Sequence, residues 1–160
     1  MQPGFEEYFH ARYFSQEFER LVAHVRRIGA GREAAEDAAQ QAFTAAYRQW
    51  EKIDNPEAWL RRVAARVYFS AADDVILTEL TDEMTPRTSH DLPDGLEQSE
   101  LVLAALRLLP LNQRVVMAWA YDDYTPTETA RALGMKPENV RKSLQRAREQ
   151  LRVLLSRGRN

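Results

Sequence analysis

The stretch at 124–155, YTPTETARALGMKPENVRKSLQRAREQLRVLL, limits the fold more than any other part of the chain, because it encodes two helices separated by only a few residues. The pattern predicts a first helix from about Thr127 to Leu133, started by Thr125 or Pro126, and a turn at Gly134-Met135-Lys136. Pro137 then opens a longer second helix at the position where its missing N–H costs nothing. Two helices around a glycine-bearing turn make a helix-turn-helix. Ala130 is small where the helices cross, and Gly134 supplies the positive φ of the turn. At about 100° per residue, Val140, Leu144, Ala147, Leu151 and Leu154 share one apolar stripe. Glu138, Arg141, Lys142 and Gln145 fall on the opposite face, and these side-chain types read base edges and phosphates in a major groove. A solvated helical hairpin would have the same periodicity, so charge has to separate the two readings.

Between Arg131 and Asn160 stand nine Lys or Arg (Arg131, Lys136, Arg141, Lys142, Arg146, Arg148, Arg152, Arg157 and Arg159) against Glu138 and Glu149, a net +7. The whole chain carries −2, so residues 1–130 carry −9. A basic end on an acidic body favours phosphate contact at that end alone. Asn139 lies among these residues and joins the candidate set for DNA contact.

Other classes are disfavoured. The 160 residues suffice for one domain or two small ones, and no apolar run approaches the roughly 20 residues of a membrane span. The acidic, aromatic start MQPGFEEYFHARYF does not read as a secretory signal. There is no cysteine, which excludes disulfides and thiolate metal sites and fits a cytoplasmic location. His10, His24 and His90 are far apart, so no metal site is expected. No glycine-rich phosphate loop, Ser/His/Asp grouping or paired-carboxylate signature stands out, so neither cofactor nor catalysis is expected.

Taken in order, a helical pattern runs from about Phe5 to Ile28, with Phe14, Phe18, Leu21, Val22, Val25 and Ile28 recurring every three or four residues. His24 sits within this amphipathic helix and reads as a boundary side chain rather than a functional one. After Gly29-Ala30-Gly31, a second helix runs from about Arg32 to Trp50, its inner face being Ala35, Ala38, Ala39, Ala42, Phe43, Ala46 and Trp50. Asp37, Gln40, Gln41, Thr44 and Arg48 line its other face, which is polar but lightly charged and suits a partner. Glu51 to Asn55 forms a loop. Asn55 caps and Pro56 starts a third helix, with Trp59, Leu60, Val63 and Val67 on its apolar side and Arg61, Arg62 and Arg66 as its cations. From Asp73 to about Ser99 eight acids face a lone Arg87 among prolines and Ser/Thr, which reads as a flexible acidic linker with at most one helical turn near Val75 to Leu80. Leu101, Val102, Ala105, Leu106 and Leu109 then mark a helix stopped by Pro110. A further helix over Asn112 to Tyr121 buries Val115, Val116, Trp119 and Ala120. The expected fold is all-α, with an N-terminal helical domain at 1–72, the acidic linker at 73–95 and a C-terminal helix-turn-helix domain at 96–160.

Four segments in this order resemble the bacterial RNA polymerase sigma factors of the extracytoplasmic-function group. EDAAQQAFTAAYRQW at 36–50 is similar to the second conserved sigma region, and NPEAWLRRVA at 55–64 to the P-x-A-W-L segment that follows it. LRLLPLNQRVV at 106–116 resembles the opening of the fourth region, and 128–155 resembles its body. The resemblance implies a promoter-specificity subunit rather than an enzyme. Its second region would bind the β′ clamp of core polymerase and open the −10 element. Its fourth region would bind the β flap and read the −35 element. It also makes an anti-sigma factor a candidate partner. By residue, Asp37 and Gln40 match clamp-facing positions, and Arg141, Ser143 and Arg146 match positions on or beside the −35 reading helix. Phe43, Trp50, Trp59, Leu60, Ala130, Gly134 and Val140 match positions that hold the fold. Loops hold flipped bases in this group, which adds Asp54 and Asn55 to Arg61, Arg62 and Arg66 as −10 candidates.

One segment departs from the group. Arg66 stands where an Asn is usual, Ser70 where an Asp is usual, and Ala71-Ala72-Asp73-Asp74 where a basic cluster is usual. Acids repel phosphate, so the departure implies weak or sequence-restricted promoter melting. An alternative therefore stays open: a sigma-derived DNA-binding regulator, or a decoy for an anti-sigma partner, that does not melt promoters.

Overall fold

The computed structural model describes residues 4–8, 14–71, 92 and 94–157. Among the described residues every regular element is helical: α1 Phe5–Tyr8, α2 Phe14–Ile28, α3 Arg32–Arg48, α4 Pro56–Ala71, α5 Gln98–Arg107, α6 Leu111–Tyr121, α7 Pro126–Leu133 and α8 Pro137–Arg157, with a 3-10 turn at Trp50–Lys52 after α3. Contacts divide the chain into two compact units, one built on α1 to α4 and the other on α5 to α8. None of the described helices is long and apolar enough to cross a membrane.

The first unit is built on the α3/α4 pair. The alanines of α3 explain that contact. Ala35, Ala38, Ala39, Ala42 and Ala46 are all buried, and without bulk between them the neighbouring helices approach closely. Phe43 and Trp50 supply volume from α3 and its exit, Leu21, Val22 and Val25 from α2, and Leu60 and Ala64 from α4. Each large apolar side chain buried this way contributes about 1.5–3 kcal/mol. Trp59, Val63 and Val67 are half-buried against the same core. At the start of α4, Asn55 Oδ1 accepts from the Ala58 N–H at 3.3 Å, the expected cap, and Pro56 takes the first helical position.

Two details differ from the sequence reading, and a third falls partly outside the described residues. The first helical pattern corresponds to two described pieces, α1 and α2, and residues 9–13 between them lie outside the described residues. The second helix stops at Arg48 rather than Trp50. Gln49 leaves helical geometry at φ −136°, and the 3-10 turn drops Trp50 and then Ile53 into the core, so burial of two large side chains overrides the continuing helical period. His24 is fully buried in the inner stripe of α2, one turn from Ile28, and not at a boundary.

In the second unit α8 packs on α5, α6 and α7. Val116, Ala130, Val140 and Leu144 form one core at the crossing of α6, α7 and α8. Leu106, Leu109 and Ala147 form another further along α8, with Val102, Leu151 and Leu154 packed against it. α7 begins with a complete capping box: Thr125 Oγ1 accepts from the Glu128 N–H at 3.1 Å, and Glu128 Oε1 accepts from the Thr125 N–H at 3.0 Å. It ends at Gly134, left-handed at φ 67° and ψ 30°, whose N–H bonds the Ala130 carbonyl. The expected one-turn helix near Val75 to Leu80, and nearly all of the acidic linker with Asp73 and Asp74, lie outside the described residues.

Candidate nucleic-acid and polymerase surfaces

The α7–turn–α8 corner sets out the first surface. α7 is locked at both ends, by the capping box and by Gly134, so the three-residue turn delivers the start of α8 at a defined angle. Val140 and Leu144 hold α8 from below with no exposure worth the name. The opposite face is thereby turned to solvent: Glu138, Asn139, Arg141, Lys142, Gln145 and Arg146 are all exposed, as are Arg131 at the end of α7 and Lys136 in the turn. Guanidinium, ammonium and amide groups on the first three turns of a helix can donate to base edges and phosphates and accept from base amines.

Ser143 does not belong to this surface. It is buried at 1% exposure, three residues from Val140 and four from Ala147, which is the inner stripe of α8. The resemblance brought it into the site, while the helical period by itself assigns it to the core.

The second surface lies on α3. Asp37, Gln40, Gln41, Thr44 and Arg48 are all exposed, opposite the buried alanines. Gln41 Nε2 donates to Asp37 Oδ2 at 2.9 Å, and Thr44 Oγ1 donates to the Gln40 carbonyl at 3.0 Å. Tyr47 extends this polar strip with 63% of its surface exposed. Sequence reasoning passed over it; its position one turn beyond Thr44 was the available signal.

The third surface joins α4 to the loop before it. Arg62, Arg66 and Ser70 are exposed and four residues apart, so they form one solvent-facing stripe. Asp54 and Asn55 are exposed at the loop, although the Asn55 side-chain oxygen is engaged by the helix cap. Arg61, predicted among these cations, lies elsewhere. It is 3% exposed, with Nη1 donating to Glu17 Oε1 at 2.9 Å and to the Glu57 carbonyl at 3.0 Å. Burial pushes the Glu17 carboxyl above its ordinary range, and the Arg61 guanidinium opposes that shift. A charge held this way in the core is committed to its ion pair and does not meet DNA phosphate. The signal was present in the sequence: on the helical wheel Arg61 falls between Ala64 and Ala65, and Glu17 lies one turn before Leu21.

The described residues thus form two compact helical units, one with an exposed polar face on α3 and the other a helix-turn-helix with an exposed cationic face on α8. The Sigma-70 region 2 family pattern matches residues 14–73, and the Sigma-70, region 4 pattern matches residues 99–151. The chain is 32% identical over 155 residues to an RNA polymerase sigma-E factor of Streptomyces coelicolor, covering 92% of this chain and 84% of that one. It is likewise 32% identical to an RNA polymerase sigma-E factor of Streptomyces avermitilis, covering 92% and 83%. The chain therefore belongs to the sigma-70 family of RNA polymerase sigma factors and is of the extracytoplasmic-function type. It is an RNA polymerase sigma factor in promoter recognition. Its fold is similar to that of a crystallised sigma factor, RpoE from Bartonella quintana in complex with the anti-sigma factor NepR, at TM-score 0.70 and 17% identity over 94% of this chain and 98% of that one.

Proposed function

We propose that this sigma factor binds core polymerase at the β′ clamp through Asp37, Gln40, Gln41, Thr44 and Arg48, and at the β flap through its C-terminal unit. The exposed face of α8 reads the −35 element, with Arg131, Lys136, Glu138, Asn139, Arg141, Lys142, Gln145 and Arg146 as contacts. Arg62 and Arg66, with the loop that carries Asp54 and Asn55, meet the −10 strand. The working division is 1–72 for polymerase and −10 contact, 73–95 as the acidic connecting segment, and 96–160 for −35 contact. The protein acts without catalysis, in the cytoplasm, and an anti-sigma factor is a candidate partner, the Bartonella protein having been crystallised in complex with one.

The observation that carries this reading is the α8 face, polar and cationic residues held outward by buried Val140 and Leu144 in a chain matched at both sigma regions. Run-off transcription with purified core polymerase tests it. A discrete promoter-dependent product is expected. Promoter binding without product would instead indicate a regulator that does not open DNA, and neither binding nor product would leave a protein-only adaptor.

A further inference from the structure

The short helix α1 carries none of the candidate contact residues, and it is tied down at several points, one of them Tyr47 at the end of the α3 strip. Phe5 and Tyr8 are three residues apart and share one face of it. Both rings pack on Trp50, Phe5 edge-on with centroids 5.3 Å apart and Tyr8 tilted at 4.9 Å. Phe5 also meets Tyr47 edge-on at 5.2 Å. The Tyr8 hydroxyl makes a long hydrogen bond, 3.4 Å, to Glu57 Oε1 in the first turn of α4. α1 therefore touches the last turn of α3, the residue that opens the 3-10 turn, and the first turn of α4. These pieces bracket the segment 51–55, where Glu51, Lys52, Asp54 and Asn55 are exposed and Ile53 points inward.

A loop that holds an unstacked base needs its ends fixed to a fraction of an ångström, because a loose pocket loses the gain from orientation. At the far end, the Asn55 cap and Pro56 provide that anchor. At the near end the anchor is Trp50, 6% exposed, and the two rings of α1 lie directly against it.

We infer that Phe5 and Tyr8 are positioning residues for the loop 51–55, so that this N-terminal turn sets how tightly the protein holds a single promoter strand. The inference rests on the proposal that this loop faces the −10 strand. Neither residue is a DNA contact in this reading: Phe5 acts through Trp50, and Tyr8 through Trp50 and Glu57.

The test uses holoenzyme assembled from core polymerase and the full chain, and a fluorescent single-stranded oligonucleotide carrying the −10 strand of a promoter that it transcribes. The double variant Phe5→Ala, Tyr8→Ala should bind the oligonucleotide about tenfold more weakly, the scale of the two aromatic pairs lost on Trp50. Its co-purification with core polymerase and its binding to a −35 duplex should be unchanged. Restoring the ring alone, as Phe5 with Tyr8→Phe, should recover most of the affinity. A second variant, Lys52→Ala with Asp54→Ala, probes the loop directly and should weaken oligonucleotide binding without touching α1. If the loop variant loses the oligonucleotide and the α1 variant does not, the positioning role is overturned. Equal losses of oligonucleotide and core polymerase in the α1 variant would also overturn it, by reducing α1 to a general support of the fold. Normal binding by the loop variant would remove the loop from strand capture, and the inference with it.

Discussion

Arg61 and Glu17 show how one step along a helix changes the meaning of a charge. Arg62 faces solvent, while its neighbour Arg61 is sealed against Glu17 at 2.9 Å. Glu17→Gln leaves a buried guanidinium without its counter-charge and should cost about 3–5 kcal/mol in urea unfolding. Replacing both partners, Glu17→Leu with Arg61→Met, should recover most of that loss, since a well-packed apolar pair of similar volume is often neutral. A cost for Glu17→Gln below about 1 kcal/mol would be that of a solvated surface pair and would contradict the burial. On α8 the corresponding test is Arg141→Ala. If Arg141 pairs with a guanine, the change should cost about 1–3 kcal/mol of specific binding and relax selectivity at that position. A phosphate-only role would lower binding to every sequence alike and reduce the salt slope by about one. Titration against cognate and scrambled −35 duplexes at several salt concentrations distinguishes the two, and unchanged cognate binding would exclude α8 from the site.

Among the elements, α7 is capped at both ends, and one of those ends titrates. The Thr125 backbone N–H and then its hydroxyl hold the Glu128 carboxyl below its ordinary range. A carboxylate whose folded value is depressed adds stability that is present above its unfolded value and is lost as pH falls through the folded one. Thermal unfolding of wild type against Glu128→Gln should therefore show a gap at neutral pH that closes in acid, below the usual carboxylate range. A gap independent of pH would mean that the charge contributes nothing to the box. On α3 the alanine face and the polar face are opposite, so the two can be varied separately. Asp37→Arg with Gln40→Arg should leave helical content and melting close to wild type, because both side chains are exposed. The same variant should fail to co-purify with core polymerase, and retention would place docking on another face.

At the scale of the whole molecule, charge is distributed by function: −9 over residues 1–130 and +7 over the remainder. DNA binding should thus depend steeply on salt through the C-terminal unit. The surface proposed for the −10 strand is poorer in cations than its sequence suggests, since Arg61 is withdrawn into the core and Arg62 and Arg66 remain. Asp73 and Asp74 follow in the sequence where cations are usual for the group. Promoter opening should accordingly be weak on a closed duplex and rescued on a pre-melted bubble. Permanganate footprinting with core polymerase reads both, and equally strong opening of the closed duplex at moderate salt would show that Arg66 substitutes for the missing Asn.

The sequence by itself determined the helix-turn-helix, the alanine face of α3 and the caps at Asn55, Thr125 and Gly134. Each of these rests on local rules of period, capping and backbone conformation that operate within a few residues. It also determined the family, because motif order survives where individual contacts vary. Tertiary structure decided what depends on partners distant in the chain. Arg61 and Glu17 are 44 positions apart, and no local pattern pairs them. Trp50 leaves its helix because the core accepts its ring, and Tyr8 reaches Glu57 across 49 positions. Ser143 lies between the two cases: its period already placed it inside, and packing against the rest of the second unit closed the core around it. Charged and polar residues carry the same letters in a core and on a surface, and only the neighbours brought by the fold decide which they meet.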